Sequence, residues 1–175
     1  MNKSTMPSAF VLACLLAGCA GAPPAPAASD AAPPPPANAF EAAFAAKPDV
    51  RPIRWGGWIE TLTPGTGASP GVDDKVTVNY RGTLTDGTEF DSSAKHGGPA
   101  TFSLWSVIPC WTNGMSKLRV GGKATLVCPS DAAYGDHGHP PVIPGGATLV
   151  FDVELLDIVK PDAKTAGAGA GSGGQ

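Results

Sequence analysis

The chain has 175 residues, room for one folded domain with extensions and a core of ordinary size. Its formal net charge is −3, from 12 Lys and Arg against 15 Asp and Glu, so nothing suggests the basic surface that nucleic acid requires. The 23 glycines and 19 prolines would suggest disorder if spread evenly, but they gather at the two ends and in turns between apolar runs.

The N-terminus reads as a targeting segment. Lys3 supplies a positive charge, and positions 9–17 form an apolar stretch too short to span a bilayer. It ends in Leu16-Ala17-Gly18-Cys19, which resembles the bacterial lipobox. That resemblance implies a lipoprotein signal peptide over residues 1–18, removed with Cys14, and a lipidated Cys19. Several acyl chains on one cysteine would make the anchor stable, where a single chain is marginal. An ordinary secretory signal that happens to contain a cysteine is the alternative.

Residues 19–51 follow as the lipidated cysteine and a tether. From 20 to 39 the chain is almost wholly alanine and proline, with Pro33 to Pro36 consecutive, which favours an extended chain with little to bury. Asn38 followed by Phe40, Glu41 and Phe44 could begin a short helix, stopped before Pro48. Such a helix is too short to survive alone, so it either packs on the domain or belongs to the linker.

The folded part is expected over residues 52–160. Residues 58–62 read as a first strand, with a turn at Pro64-Gly65-Thr66-Gly67. Val76, Val78 and Tyr80 alternate with polar residues on a second strand. Asp86-Gly87 suits a tight hairpin turn, and the return strand brings Phe90 and Asp91 back towards Tyr80. Residues 101–104 form another short strand. Trp111, Met115 and Leu118 recur at helical spacing, and residues 123–128 and 148–158 alternate again. Strands dominate, with one helix to cover the apolar face of a curved antiparallel sheet, an α+β architecture. The Gly/Ala tail 161–175 has no side chains worth burying and reads as disordered.

Five segments in this order carry a resemblance to a known family. They are residues 76–93, Val107-Ile108-Pro109-Cys110-Trp111, Ala133-Tyr134-Gly135, Ile143-Pro144, and Leu149-Val150-Phe151-Asp152-Val153-Glu154-Leu155. Together they resemble the FKBP family of peptidyl-prolyl cis/trans isomerases, from about Trp58 to Val159. The resemblance implies a half-barrel of antiparallel strands wrapped around one short α-helix. It also implies rotation of X-Pro bonds, against a barrier near ~18–20 kcal/mol set by amide resonance. Resonance separates charge, so the planar amide is more polar than the twisted transition state. An apolar pocket therefore lowers the barrier without nucleophile, acid, base, metal or cofactor.

Carried over residue by residue, the resemblance makes Trp111 the floor of that pocket. Tyr80, Phe90, Phe102, Val107, Ile108, Ile143 and Phe151 become its walls. The Ile108 N–H and the Tyr134 hydroxyl would hold substrate carbonyls, Asp91 would orient Tyr80 and face the twisting carbonyl, and His139 would sit at the rim. Three features depart from the family pattern. Ala100 stands where many members have an aromatic, the loop after Leu104 is short, and Cys110 replaces the glycine before the floor tryptophan. These leave macrolide inhibitors as candidate ligands of undetermined affinity.

Cys110 and Cys128 are the two thiols left after lipidation of Cys19, and an oxidising compartment invites a disulfide between them. A buried free pair is the alternative. His137 and His139 with Asp136 read as solvated loop residues rather than metal ligands, and no hydrolase elbow, phosphate loop or dinucleotide fingerprint appears. The expectation is a periplasmic isomerase, lipid-anchored to a membrane, with the outer favoured over the inner because Ala20 follows the cysteine. Its partners would be proline-containing unfolded or exported polypeptides. A non-catalytic peptide-binding or holdase chaperone module is the alternative function.

Overall fold

The computed structural model describes residues 35–160. The signal segment 1–18, Cys19, most of the Ala/Pro tether and the tail 161–175 lie outside the described residues. In chain order the elements are α1 (Ala39–Ala45), β1 (Val50–Pro52), β2 (Trp58–Thr63), β3 (Lys75–Leu84), β4 (Glu89–Ser92), β5 (Ala100–Ser103), α2 (Pro109–Met115), β6 (Lys123–Cys128) and β7 (Leu149–Val159). A short 3-10 turn, Ser93–His96, follows β4.

The strands form one antiparallel sheet in the order β1-β2-β6-β7-β3-β4. β3 is its spine. One edge pairs with β7 along its whole length, from Lys75 opposite Val159 to Leu84 opposite Leu149. The other edge is divided: Lys75 to Val78 pair with β5, and Arg81 to Thr83 pair with β4. The β3–β4 loop is built as expected. Gly87 takes φ 87°, its N–H bonds the Leu84 carbonyl at 3.0 Å, and the Thr88 N–H bonds Asp86 Oδ1 at 2.8 Å.

Alternation on these strands decides what faces the core. Val76, Val78 and Tyr80 of β3, Leu149, Phe151, Val153 and Leu155 of β7, and Ala124, Leu126 and Cys128 of β6 are all buried in one cluster. α2 lies against that face and contributes Cys110, Trp111 and Met115. Pro109 opens the helix at a position where no N–H is needed, and the Ile108 carbonyl accepts from the Trp111 and Thr112 amides. The approach is close because Gly114 has no side chain: a Cβ there would stand 2.6 Å from Leu126 Cδ2. Cys110 and Cys128 are joined in a disulfide, with Cα atoms 5.7 Å apart, so the start of α2 is tied covalently to the end of β6.

The opposite face of the sheet carries a second helix. Asn38 caps α1 by accepting the Glu41 N–H at 2.9 Å, and Glu41 reaches back to the Ala37 N–H at 2.7 Å. Phe44 then packs with Trp58 and Val127 in a small separate cluster, and β1 extends the sheet beside β2. Packed structure therefore begins ahead of residue 52, where the sequence placed the tether. The physical reason is tertiary: a seven-residue helix has no stability of its own, and docking supplies it. Among the described residues, no helix is long and apolar enough to cross a membrane.

Candidate active site

At the concave face three rings stand almost perpendicular around the Trp111 indole. Tyr80, Phe102 and Phe151 have centroids 5.5, 5.4 and 5.2 Å away, at interplanar angles of 82°, 84° and 82°. Phe90 extends the wall by meeting Phe151 edge-on at 5.5 Å. Each edge-to-face pair adds roughly 0.5–1.5 kcal/mol beyond its buried area. β3, β7, β5 and α2 each bring one ring because the divided edge of β3 places β5 beside Tyr80. Gly82 makes the Phe90 contact possible, since a Cβ there would come within 2.7 Å of Phe90 Cε2. Sequence reasoning missed that glycine.

The Trp111 Nε1–H is buried and has no hydrogen-bond partner among the described residues. An unsatisfied buried donor costs roughly 1–3 kcal/mol, which a core selected for stability alone would avoid. Val107 and Ile108 pack half-buried against the same cluster, and Ile143 is buried in it. The Ile108 N–H meets no backbone acceptor among the described residues. The loop before α2 is held by Thr112 Oγ1, which donates to the Leu104 carbonyl at 2.6 Å, and Trp105 is left 72% exposed.

One carboxylate stands at the edge of this apolar box. Asp91 Oδ2 accepts the Tyr80 hydroxyl at 2.6 Å. Its Oδ1 takes the Ser92 N–H at 2.9 Å and lies 2.8 Å from His96 Nε2. Partial burial pushes the Asp91 carboxyl up, but the Tyr80 hydroxyl, the His96 ring and the Ser92 amide together outweigh it and hold it below its ordinary value. Desolvation, then the bond to Asp91, pushes the Tyr80 hydroxyl well up. Desolvation and next the Asp91 charge push Tyr134 the same way. Just outside, Glu89 is held down at about 2 by Arg81, with help from Ser92 and Lys95.

The loop between β6 and β7 supplies the rim. Tyr134 is 39% exposed and its ring meets the exposed His139 ring at 5.5 Å. His139 and Ile143 exchange backbone hydrogen bonds at 2.8 and 3.0 Å, which closes the loop on itself. His137 and Asp136 are solvated beside it. His96 is the neighbour of Asp91 that sequence reasoning overlooked. Its only signal was a histidine five positions after Asp91, a spacing that becomes a contact because the 3-10 turn folds the chain back.

A separate depression of about 280 Å³ lies on the other face of the sheet, among Leu62, Asn79, Arg81, Lys123, Asp152 and Glu154. Glu154 there accepts from Asn79 at 3.1 Å and pairs with Lys123 at 3.2 Å. These polar pairs cross a shallow, open surface that lacks the enclosing aromatic rings of the concave face.

The family model for FKBP-type peptidyl-prolyl cis-trans isomerase matches residues 67–156. The chain is 52% identical over 124 residues to the FKBP-type peptidyl-prolyl cis-trans isomerase FkpA of Aeromonas hydrophila, covering 71% of this chain and 46% of that protein. It thus spans about half the length of the FkpA relatives it matches. With the peptidyl-prolyl cis-trans isomerase Fkbp12 of Drosophila melanogaster it shares 48% identity over 103 residues, 57% of this chain and 95% of the relative. The crystal structure of FkpA from Escherichia coli superposes with a TM-score of 0.66 at 45% identity, covering 69% of this chain and 56% of that one. A match that runs from the turn after β2 through most of β7, and takes in nearly all of one small relative, settles the assignment: the chain belongs to the FKBP-type peptidyl-prolyl cis-trans isomerase family.

Proposed function

We propose that this chain accelerates cis/trans rotation about X-Pro bonds in polypeptides, with the prolyl ring seated on Trp111. The observation that carries the reading is the ring box around the indole with a single carboxylate, Asp91, at its edge. Tyr80, Phe90, Phe102, Phe151, Val107, Ile108 and Ile143 exclude water from the substrate amide, which favours its less polar, twisted state. The Ile108 N–H and the Tyr134 hydroxyl hold the flanking carbonyls, and His139 braces Tyr134 from the rim. Asp91, fixed by Tyr80, acts on the twisting carbonyl electrostatically. No step requires a cofactor.

The test is isomerisation of a short Ala-Leu-Pro-Phe peptide under pseudo-first-order conditions. Saturable acceleration supports the enzyme. Binding of unfolded chains with no acceleration would identify a holdase instead, a role the short, self-closed loop from Tyr134 to Ile143 does not favour.

The same proposal places the enzyme in the periplasm, on a lipid anchor at Cys19, with the outer membrane favoured. Residues 1–18 act as the signal peptide and the segment after Cys19 as a tether for the domain. The lipobox-like Leu16-Ala17-Gly18-Cys19 supports it. Intact-mass spectrometry should find a mature chain that begins at Cys19 with added acyl mass. Unmodified Cys19 and a mature N-terminus elsewhere would contradict the anchor.

A further inference from the structure

The two oxygens of Asp91 have different neighbours. Oδ2 faces inward to Tyr80, while Oδ1 faces His96 at 2.8 Å on the solvent side. The other charged groups around it are already engaged. Lys95, on the same turn, pairs with Glu89 at 3.3 Å, and Arg81 of β3 bonds Glu89 at 2.7 Å. Tyr80 of β3 and Tyr134 of the rim loop remain protonated hydroxyls, both pushed up from their ordinary value. Among the described residues, His96 is therefore the one basic side chain within ion-pairing distance of Asp91.

His96 is held in that place by the backbone around it. The turn Ser93–His96 is anchored through Ser93, whose Oγ accepts the Tyr80 N–H at 3.2 Å and donates to the Tyr80 carbonyl at 3.3 Å. Gly97, at φ 88°, then ends the turn, and the Gly97 and Gly98 amides bond back to Ala94 and Ser93. The ring thus comes from a segment fixed to the same strand that carries Tyr80, and Asp91 is gripped between two groups with a common base.

We infer that His96 is a positioning residue whose protonation tightens the grip on Asp91 and so makes isomerisation pH-dependent. An imidazole changes charge between about pH 5 and 8. As imidazolium, His96 adds the attraction of an ion pair to its hydrogen bond with the Asp91 carboxylate, and after losing its proton it keeps at most the hydrogen bond. Asp91 stays ionised throughout that window, so the charge of the carboxylate does not change while its restraint does. Activity therefore falls as the pH rises. His139, against Tyr134, is the other imidazole at the site and the necessary control.

The inference rests on the isomerase reading above. The experiment is kcat/KM for the Ala-Leu-Pro-Phe peptide from about pH 5 to 8 in wild type, His96→Gln, His96→Arg and His139→Gln. Wild type should decline roughly two- to five-fold across the window, the scale an exposed ion pair supports. His96→Gln should be flat at the lower level and His96→Arg, a permanent cation, flat at the upper one, while the decline persists in His139→Gln. A flat wild-type profile with activity present overturns the inference alone, as does a decline that survives in His96→Gln or vanishes only in His139→Gln. Absence of acceleration at every pH would instead overturn the isomerase reading on which it stands.

Discussion

The two faces of the sheet bury aromatic residues in different ways. Under α1, Phe44, Trp58 and Val127 pack together, and the buried Glu41 beside them is fully engaged. It accepts from the Thr148 hydroxyl at 2.6 Å, the Asn38 amide at 3.0 Å and the Ala37 N–H at 2.7 Å. On the concave face the Trp111 N–H has no partner among the described residues, and Asp91 stands half-exposed against the ring box. The first arrangement is what stability asks of buried polar groups. The second tolerates an unmet donor and a nearby charge, which makes sense where the indole is kept for its ring face and the carboxylate for what approaches it.

The sharpest way to break that contrast is to empty each cluster in turn. Trp111→Ala should destabilise by about 3–5 kcal/mol and abolish most isomerase activity, because it removes the proposed floor of the pocket. Phe44→Ala should cost a comparable amount of stability while kcat/KM per folded molecule is unchanged. Denaturant melts with activity measured on the same samples decide it, and equal losses of activity in both variants would erase the distinction.

The concave face was legible in the sequence because its signals are local. Alternation placed Val76, Val78 and Tyr80 inward, and Asp86-Gly87 located the turn that returns Asp91 to Tyr80. Trp111, Tyr80, Phe90, Phe102 and Phe151 do converge, and Cys110 does pair with Cys128. The outer face was not legible. Whether the helix begun at Asn38 docks or dangles depends on Phe44 reaching Trp58 and Val127, and on Glu41 reaching Thr148 across 107 positions of chain. Nothing local in an Ala/Pro-rich stretch encodes such a contact. His96 and Gly82 escaped for a related reason: each matters through what the fold sets beside it, and neither residue type announces that.

The disulfide sharpens the comparison, because it belongs to the concave face only. The separation of Cys110 and Cys128 is 18 positions, so reduction should cost roughly 3 kcal/mol by the loop-entropy argument. Since Cys110 immediately precedes Trp111, the reduced protein should also lose more activity than its small unfolded fraction explains. Reversible reduction with activity and thermal melts in parallel would check both.

A smaller effect is expected from Glu41→Ala. It leaves the Thr148 hydroxyl and the Ala37 N–H without their acceptor, a loss of about 1–3 kcal/mol, with kcat/KM unaltered. A fall in activity at full folding would show that the outer helix bears on the pocket after all.

The smallest effect concerns acid. Glu89 has its carboxyl lowered from 4.5 to about 2 by Arg81, Ser92 and Lys95, so its stabilisation is present above 4.5 and disappears as the pH falls towards 2. Glu89→Gln should therefore be slightly less stable than wild type near neutrality, and the gap should close on the acid side. Melting temperatures along a pH series would read it, and a gap that widens in acid would contradict the sign.

Asp91 remains the most direct test, since it is the charged group at the edge of an otherwise apolar box. Asp91→Ala should keep the circular dichroism and melting profile of a folded protein, because its carboxylate is half-exposed and, among the described residues, ties only Tyr80, Ser92 and His96. Its kcat/KM for the Ala-Leu-Pro-Phe peptide should fall by roughly ten-fold, the scale of a lost interaction with a charged group. An unchanged rate in a well-folded Asp91→Ala protein would contradict the account.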